Sequence, residues 1–170
     1  MKYLIILAIW TISSVATAQN EIEWMTENLS VTTFRNGDSI QQITNEQDWE
    51  KAGNNKVPAW IYKSVNDSTQ VIVYNYYAVI DARGLAPNGW KIPTIKELES
   101  FSMEIMGDAN CWSKNFGKTF ANAGLLVGFW SSTEYDDGFA YYLDYTEWLD
   151  DRLKSDWALK GLGFSVRCVR

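Results

Sequence analysis

The chain has 170 residues, 46% apolar and 15% aromatic, with 15 basic against 21 acidic residues and a formal net charge of −6. That length suits one domain around a single core, and the acidic balance argues against nucleic acid or an anionic lipid surface as partner, since each is met by a basic patch. Histidine is absent, which removes Ser-His-Asp and Cys-His catalysis and the commonest nitrogen ligands for zinc, copper and iron.

Residues 1–18 have the pattern of a secretory signal. Lys2 is a minimal positive start, Tyr3 to Ile12 is an apolar run too short to span a bilayer, and Ala16-Thr17-Ala18 is a small-x-small cleavage site. Cleavage before Gln19 leaves one domain, residues 19–170, with 14 basic against 21 acidic residues. The expected location is exported: periplasm, cell surface or outside the cell. No later run is long enough to cross a membrane. Oligomeric state has no signature in the sequence.

Glu21 to Phe34 is β-like without clean alternation, and Arg35-Asn36-Gly37-Asp38 is a turn signal, so Trp24–Phe34 and Ser39–Ile43 are candidate paired strands. Thr44 or Asn45 opens a short helix to about Lys51, with Gln47 or Asp48 at the third helical position, Gly53 as a stop, and Trp49 and Ala52 inward. Val57 to Tyr62 is apolar, Asn66-Asp67-Ser68 is a turn, and Val71 to Ile80 is the longest apolar run of the mature chain. That run is a strand, or its second half, Tyr74 to Val79, is a helical turn; periodicity does not separate the two. Asp81 to Gly84 closes it.

The organising stretch is Ala86 to Glu99. Pro87-Asn88-Gly89 makes a turn, Trp90-Lys91-Ile92 a short strand, and Thr94-x-x-Glu97 a capping box. Ile95, Leu98, Phe101 and Ile105 then recur at helical spacing toward Gly107. Asp108 to Gly128 reads as a long loop, Phe129 to Glu134 as a strand or strand end, Asp136-Asp137-Gly138 as a turn into Phe139–Tyr145, and Trp148 to Asp151 as another turn. Gly163 to Arg170 closes the chain as a half-buried strand in which Phe164, Val166 and Cys168 alternate with Ser165, Arg167 and Val169.

Trp24 to Asp38, Tyr74 to Val79, Gly89-Trp-Lys-Ile-Pro-Thr94 with Glu97, Phe129-Trp-Ser-Ser-Thr-Glu134 and Gly163 to Arg170 run in an order that resembles the Fibrobacter succinogenes major paralogous domain family, secreted or surface proteins of Bacteroidetes-type bacteria. Gly-Trp-x-x-Pro-Thr-x-x-Glu is also similar to a segment of formylglycine-generating and related domains. The resemblance implies an α+β, C-type-lectin-like fold: a small twisted antiparallel sheet, two helices, a long irregular loop region, and paired first and last strands. Where many members carry a Cys before the Pro of the central turn, this chain has Ala86.

Cys111 and Cys168 are an even pair in an exported chain, so a disulfide joining the long loop to the last strand is chemically permitted; the alternative is a buried Cys168 and an unpaired Cys111. Glu134 to Asp156 holds Glu134, Asp136, Asp137, Asp144, Glu147, Asp150, Asp151 and Asp156 against only Arg152 and Lys154. Loop carboxylates of this kind can ligate calcium or simply be solvated turn residues. Trp130, Tyr135, Tyr141, Tyr142, Tyr145 and Trp148 lie in the same stretch; Trp130 reads as core. The candidate ligand-binding residues are Tyr135, Tyr145, Trp148, Asp150 and Asp151, with aromatic faces for sugar rings and acids for hydroxyls. The resulting expectation is a non-catalytic recognition module that holds a glycan or a surface protein by loops between Asp108 and Ser155, without nucleic acid and with calcium as the one candidate cofactor. A structural surface component is the alternative, and a carboxylate hydrolase the third reading.

Overall fold

The computed structural model describes residues 22–66, 69–100, 128–146 and 152–170. The expected signal at 1–18, most of the expected loop at 108–128, and the expected turn at 148–151 lie outside them.

The architecture is α+β, with two sheets where the sequence predicts one. The first has the order β1 (Gln41–Ile43), β2 (Ala59–Asn66), β3 (Thr69–Asn75), β7 (Gly163–Phe164); the second has β4 (Gly128–Glu134), β5 (Phe139–Thr146), β6 (Arg152–Leu159). All pairings are antiparallel except β1 with β2. A parallel pair requires a crossover, and α1 (Glu46–Asn54) provides it. Among the described residues there are two further helices, α2 (Tyr76–Val79) and α3 (Ile95–Glu99).

Local chemistry sets these boundaries. Asn45 caps α1 by accepting from the Asp48 N–H. The helix runs one residue past the expected stop at Gly53, which is instead a close-packing position: a Cβ there would lie 3.1 Å from the Gly161 Cα, a tight contact with the 160–161 turn. The helix ends at Asn54, and Lys56 follows at φ 56°. The long apolar run divides at Asn75, giving a strand to Asn75 and the helical turn from Tyr76. Both halves of the Thr94/Glu97 capping box form. α3 is described to Glu99, while Phe101 and Ile105 lie outside the described residues.

Two predicted strands are corrected. Trp24–Phe34 and Ser39–Ile43 share one bridge, Thr33 with Ser39, across a turn held by Phe34 N–H to Asp38 O; β1 pairs with β2 instead. The last segment is a strand only at Gly163–Phe164. Beyond it Val166, Arg167, Cys168 and Val169 are all buried, so the alternation of inward and outward residues fails. This segment is packed on both sides: Met25 N–H donates to Cys168 O, Leu29 N–H to Val166 O, and Lys91 bridges Val169. Arg167 reaches Asn28 Oδ1 at 2.6 and 3.0 Å. Hydrogen bonds of this kind let a guanidinium stay buried. The chain ends pair as expected, through Trp24 with Val169.

Trp130 joins the two sheets. It is fully buried on β4, donates Nε1–H to the Tyr74 carbonyl of β3 at 2.9 Å, and meets Phe164 and Tyr76 edge-on at 4.6 and 5.1 Å between centroids. A Cβ on Gly128, at the start of β4, would fall 2.7 Å from the Tyr142 ring, so glycine is required for β4 to lie against β5.

Candidate functional site: an aromatic face on the second sheet

Side chains alternate across a strand, and β5 shows it. Ala140 and Tyr142 turn inward and are buried in the main core. Phe139, Tyr141 and Leu143 therefore take the outer face, where the register sets them against Leu159, Trp157 and Ser155 of β6. One end of that face is covered by α3, which packs Leu98 and Ile95 against Phe129 and Leu143. Ser155 Oγ closes the contact by donating to Glu99 Oε1 at 2.8 Å.

Among the described residues no element covers the other end. Tyr135, Trp157 and Leu159 are 50%, 49% and 53% exposed. Tyr135 stacks on Trp157 at 5.5 Å and 17° between planes, Tyr141 meets Tyr135 edge-on at 5.4 Å, and Phe139 meets Trp157 edge-on at 5.0 Å. Each aromatic contact holds its neighbour's orientation, so the four rings form one ordered surface.

Carboxylates flank this end of the sheet, with Asp136 in the β4–β5 turn and Glu134 and Asp156 at positions registered with the inward-facing Ala140 and Tyr142. Asp136 Oδ1 accepts from the Gly138 and Phe139 N–H groups, both at 2.8 Å, and so shapes the β4–β5 turn. Asp156 Oδ1 accepts the Trp157 N–H at 2.8 Å. Glu134 pairs with Lys160 at 3.1 Å. Lys160 is buried and also donates to the Asp137 carbonyl. Beneath it lies Tyr76, whose phenol burial pushes well above its ordinary range, with the Glu134 charge adding to the shift. The Tyr76 hydroxyl is buried with no hydrogen-bond partner among the described residues.

Of the sequence-predicted site residues, Tyr135 lies in this face. Tyr145 is on β5 at the register position opposite Leu153, its side chain outside the described residues; Trp148, Asp150 and Asp151 also lie outside them. The predicted binding loops over 108–155 are corrected in part, because Gly128–Glu134, Phe139–Thr146 and Arg152–Leu159 are strands. Trp157 is the residue that sequence reasoning misses. Its signal is the alternation Ser155, Trp157, Leu159 around Asp156 and Ala158.

Cys168 is buried, and burial pushes its thiol up to about 12 against the pull of the Arg35 charge. Its proposed partner Cys111 lies outside the described residues. Among the described residues no group of three or more Cys, Asp or Glu side chains is placed to hold a metal ion. No helix among them is long and apolar enough to cross a membrane. A separate open groove of about 410 Å³ is lined by residues that include Trp24, Met25, Asn28, Leu29 and Trp90.

The family model of the Fibrobacter succinogenes major domain matches residues 19–110, over half of the chain. The chain belongs to that family. The Fibrobacter major domain match takes in the first sheet up to β3, the central turn and the α3 capping box, and it ends before β4. The aromatic face of Tyr135, Phe139, Tyr141 and Trp157 thus lies in the part of this family member beyond the match. No curated protein matches the chain.

Proposed function

We propose that this Fibrobacter major domain protein is an exported, non-catalytic recognition module that binds a glycan on the outer face of its second sheet. The observation that carries the proposal is the cluster of Tyr135, Tyr141, Phe139 and Trp157, with Tyr135 and Trp157 exposed and Asp136 in the adjoining turn. Aromatic faces offer apolar area to the C–H side of a sugar ring, and neighbouring carboxylates accept its hydroxyls. A grouped, exposed aromatic surface of this kind marks an interaction site more often than a scattered apolar residue does. Export rests on the signal pattern at 1–18. The C-type-lectin-like reading of the fold rests on the paired chain ends and the Gly89-Trp-Lys-Ile-Pro-Thr94 turn.

The test is a glycan array on the exported protein, run with calcium and with chelator, followed by calorimetry on the best ligand. Trp157→Ala and Tyr135→Ala are each expected to weaken binding about tenfold, equivalent to about 1.4 kcal/mol, while the thermal midpoint stays near that of the parent because both rings are half-exposed. Silence on the array, or variants that bind as tightly as the parent, would sink the proposal. Loss of binding in chelator would instead bring the carboxylates of Glu134 to Asp156 into the site as calcium ligands.

A further inference from the structure

We propose that β6 pairs with β6 of a second copy of this chain, antiparallel about a two-fold axis at Ser155, so that two three-stranded sheets become one of six strands. Among the described strands β6 is the edge of the order β4-β5-β6. The direction of its backbone groups follows from its neighbours. The Tyr141 carbonyl accepts from Ser131 Oγ on β4 at 2.7 Å, and the Phe139 carbonyl from the Tyr135 N–H at 3.0 Å, so odd-numbered residues of β5 face β4 and even-numbered ones face β6. Lys160 N–H to Gly138 O agrees with this parity. Tyr142 and Ala140 are registered with Asp156 and Ala158, which therefore bond to β5, and Ser155 and Trp157 point their N–H and C=O groups outward. The Trp157 N–H, instead of meeting a strand, is taken by the Asp156 carboxylate. An edge of this length with outward groups and exposed apolar residues is a template for another strand.

The register selects the occupant. A two-fold axis sets each residue opposite one equally far from the axis, and every pair is made twice. With the axis at Ser155, Lys154 takes the register position facing Asp156 of the second copy, and Leu153 the position facing Trp157. Opposite charges and apolar pairs at directly facing positions are the favourable cross-strand pairs. Moving the axis one residue either way sets Lys154 or Asp156 against its own copy, a like-charge pair. On pairing, Asp156 exchanges the Trp157 N–H for the facing lysine position, and Leu153 of the second copy supplies the carbonyl for that N–H.

Sedimentation velocity on the exported protein across about 1 to 100 μM tests this, since a dimer is concentration-dependent. The parent is expected to dimerise. Ser155→Pro removes an outward N–H without touching the β5–β6 ladder and is expected to give a folded monomer. Lys154→Asp and Asp156→Lys should each weaken the dimer about tenfold or more, and the double swap K154D/D156K should restore it. A parent that stays monomeric, a Ser155→Pro dimer as tight as the parent's, or a folded double swap that fails to recover would overturn the proposal.

Discussion

Asn75 ends one strand and starts one helix with a single buried side chain. Its Oδ1 accepts the Ala59 N–H and the Ala78 N–H, both at 3.1 Å, and its Nδ2–H donates to the Val57 carbonyl at 2.8 Å. Without that amide, three backbone groups at the start of β2 and in α2 lose these bonds, and each buried unsatisfied group costs about 1 to 3 kcal/mol. Asn75→Leu, similar in size but unable to bond, is therefore expected to lose about 3 to 6 kcal/mol in urea unfolding. A loss below 1 kcal/mol would mean that water or a shifted backbone replaces all three bonds. The same logic marks Trp130, which packs like a core residue and ties its Nε1–H to the facing sheet.

Elements of this fold differ in how far their causes lie along the chain. The Thr94/Glu97 capping box is local: Glu97 Oε2 accepts the Thr94 N–H at 2.8 Å and Thr94 Oγ1 accepts the Glu97 N–H at 3.3 Å. A helix this short depends on its cap more than on propensity, and it carries Leu98 onto the second sheet. Thr94→Ala should cost about 1 kcal/mol, read as a lower thermal midpoint, whereas an unchanged midpoint would show that packing alone holds α3. Such signals are legible in sequence because donor and acceptor are three residues apart, and the Pro87-Asn88-Gly89 turn, with Gly89 at φ 78°, is legible for the same reason. The burial of Arg167 is not, because it depends on Asn28, 139 residues away. β6 is obscured in another way. Arg152, Lys154 and Asp156 break its apolar pattern, so the acidic stretch reads as loop and Trp157 goes unassigned. The parallel pairing of β1 is likewise set by β2, which no periodicity within three residues can announce.

For the molecule as a whole, ionisation bounds stability on both sides. Hydrogen bonds from Arg83 hold the Asp81 carboxyl below its ordinary value despite partial burial. At Glu97, burial pushes upward, and the bonds from Lys91 and Thr94 together outweigh it, leaving that carboxyl lowered too. Groups lowered in the fold contribute stability above their unfolded values, about 4, and lose it as pH falls through the folded ones. Cys168 as a thiol, and Tyr74 and Tyr76, are raised by burial. Their contribution is complete below unfolded values of about 8.5 and 10, and is lost as pH climbs toward the folded ones. Urea midpoints should therefore be flat from about pH 5 to 8 and fall on either side. Cys168→Ala should move the alkaline onset from near 8.5 toward 10; an unmoved onset would show that Cys168 does not titrate. The chain ends bear on a different property. Glu23 and Arg170 exchange both backbone bonds at 3.0 Å, and the Arg170 guanidinium sits on the Glu23 carboxylate at 2.7 Å and over Trp90. Closing contacts 147 residues apart in sequence is a large loop entropy to overcome before it is rewarded. A chain rejoined there by a short linker and opened at the exposed Asn36-Gly37 turn would make those contacts local, and is expected to refold faster than the parent.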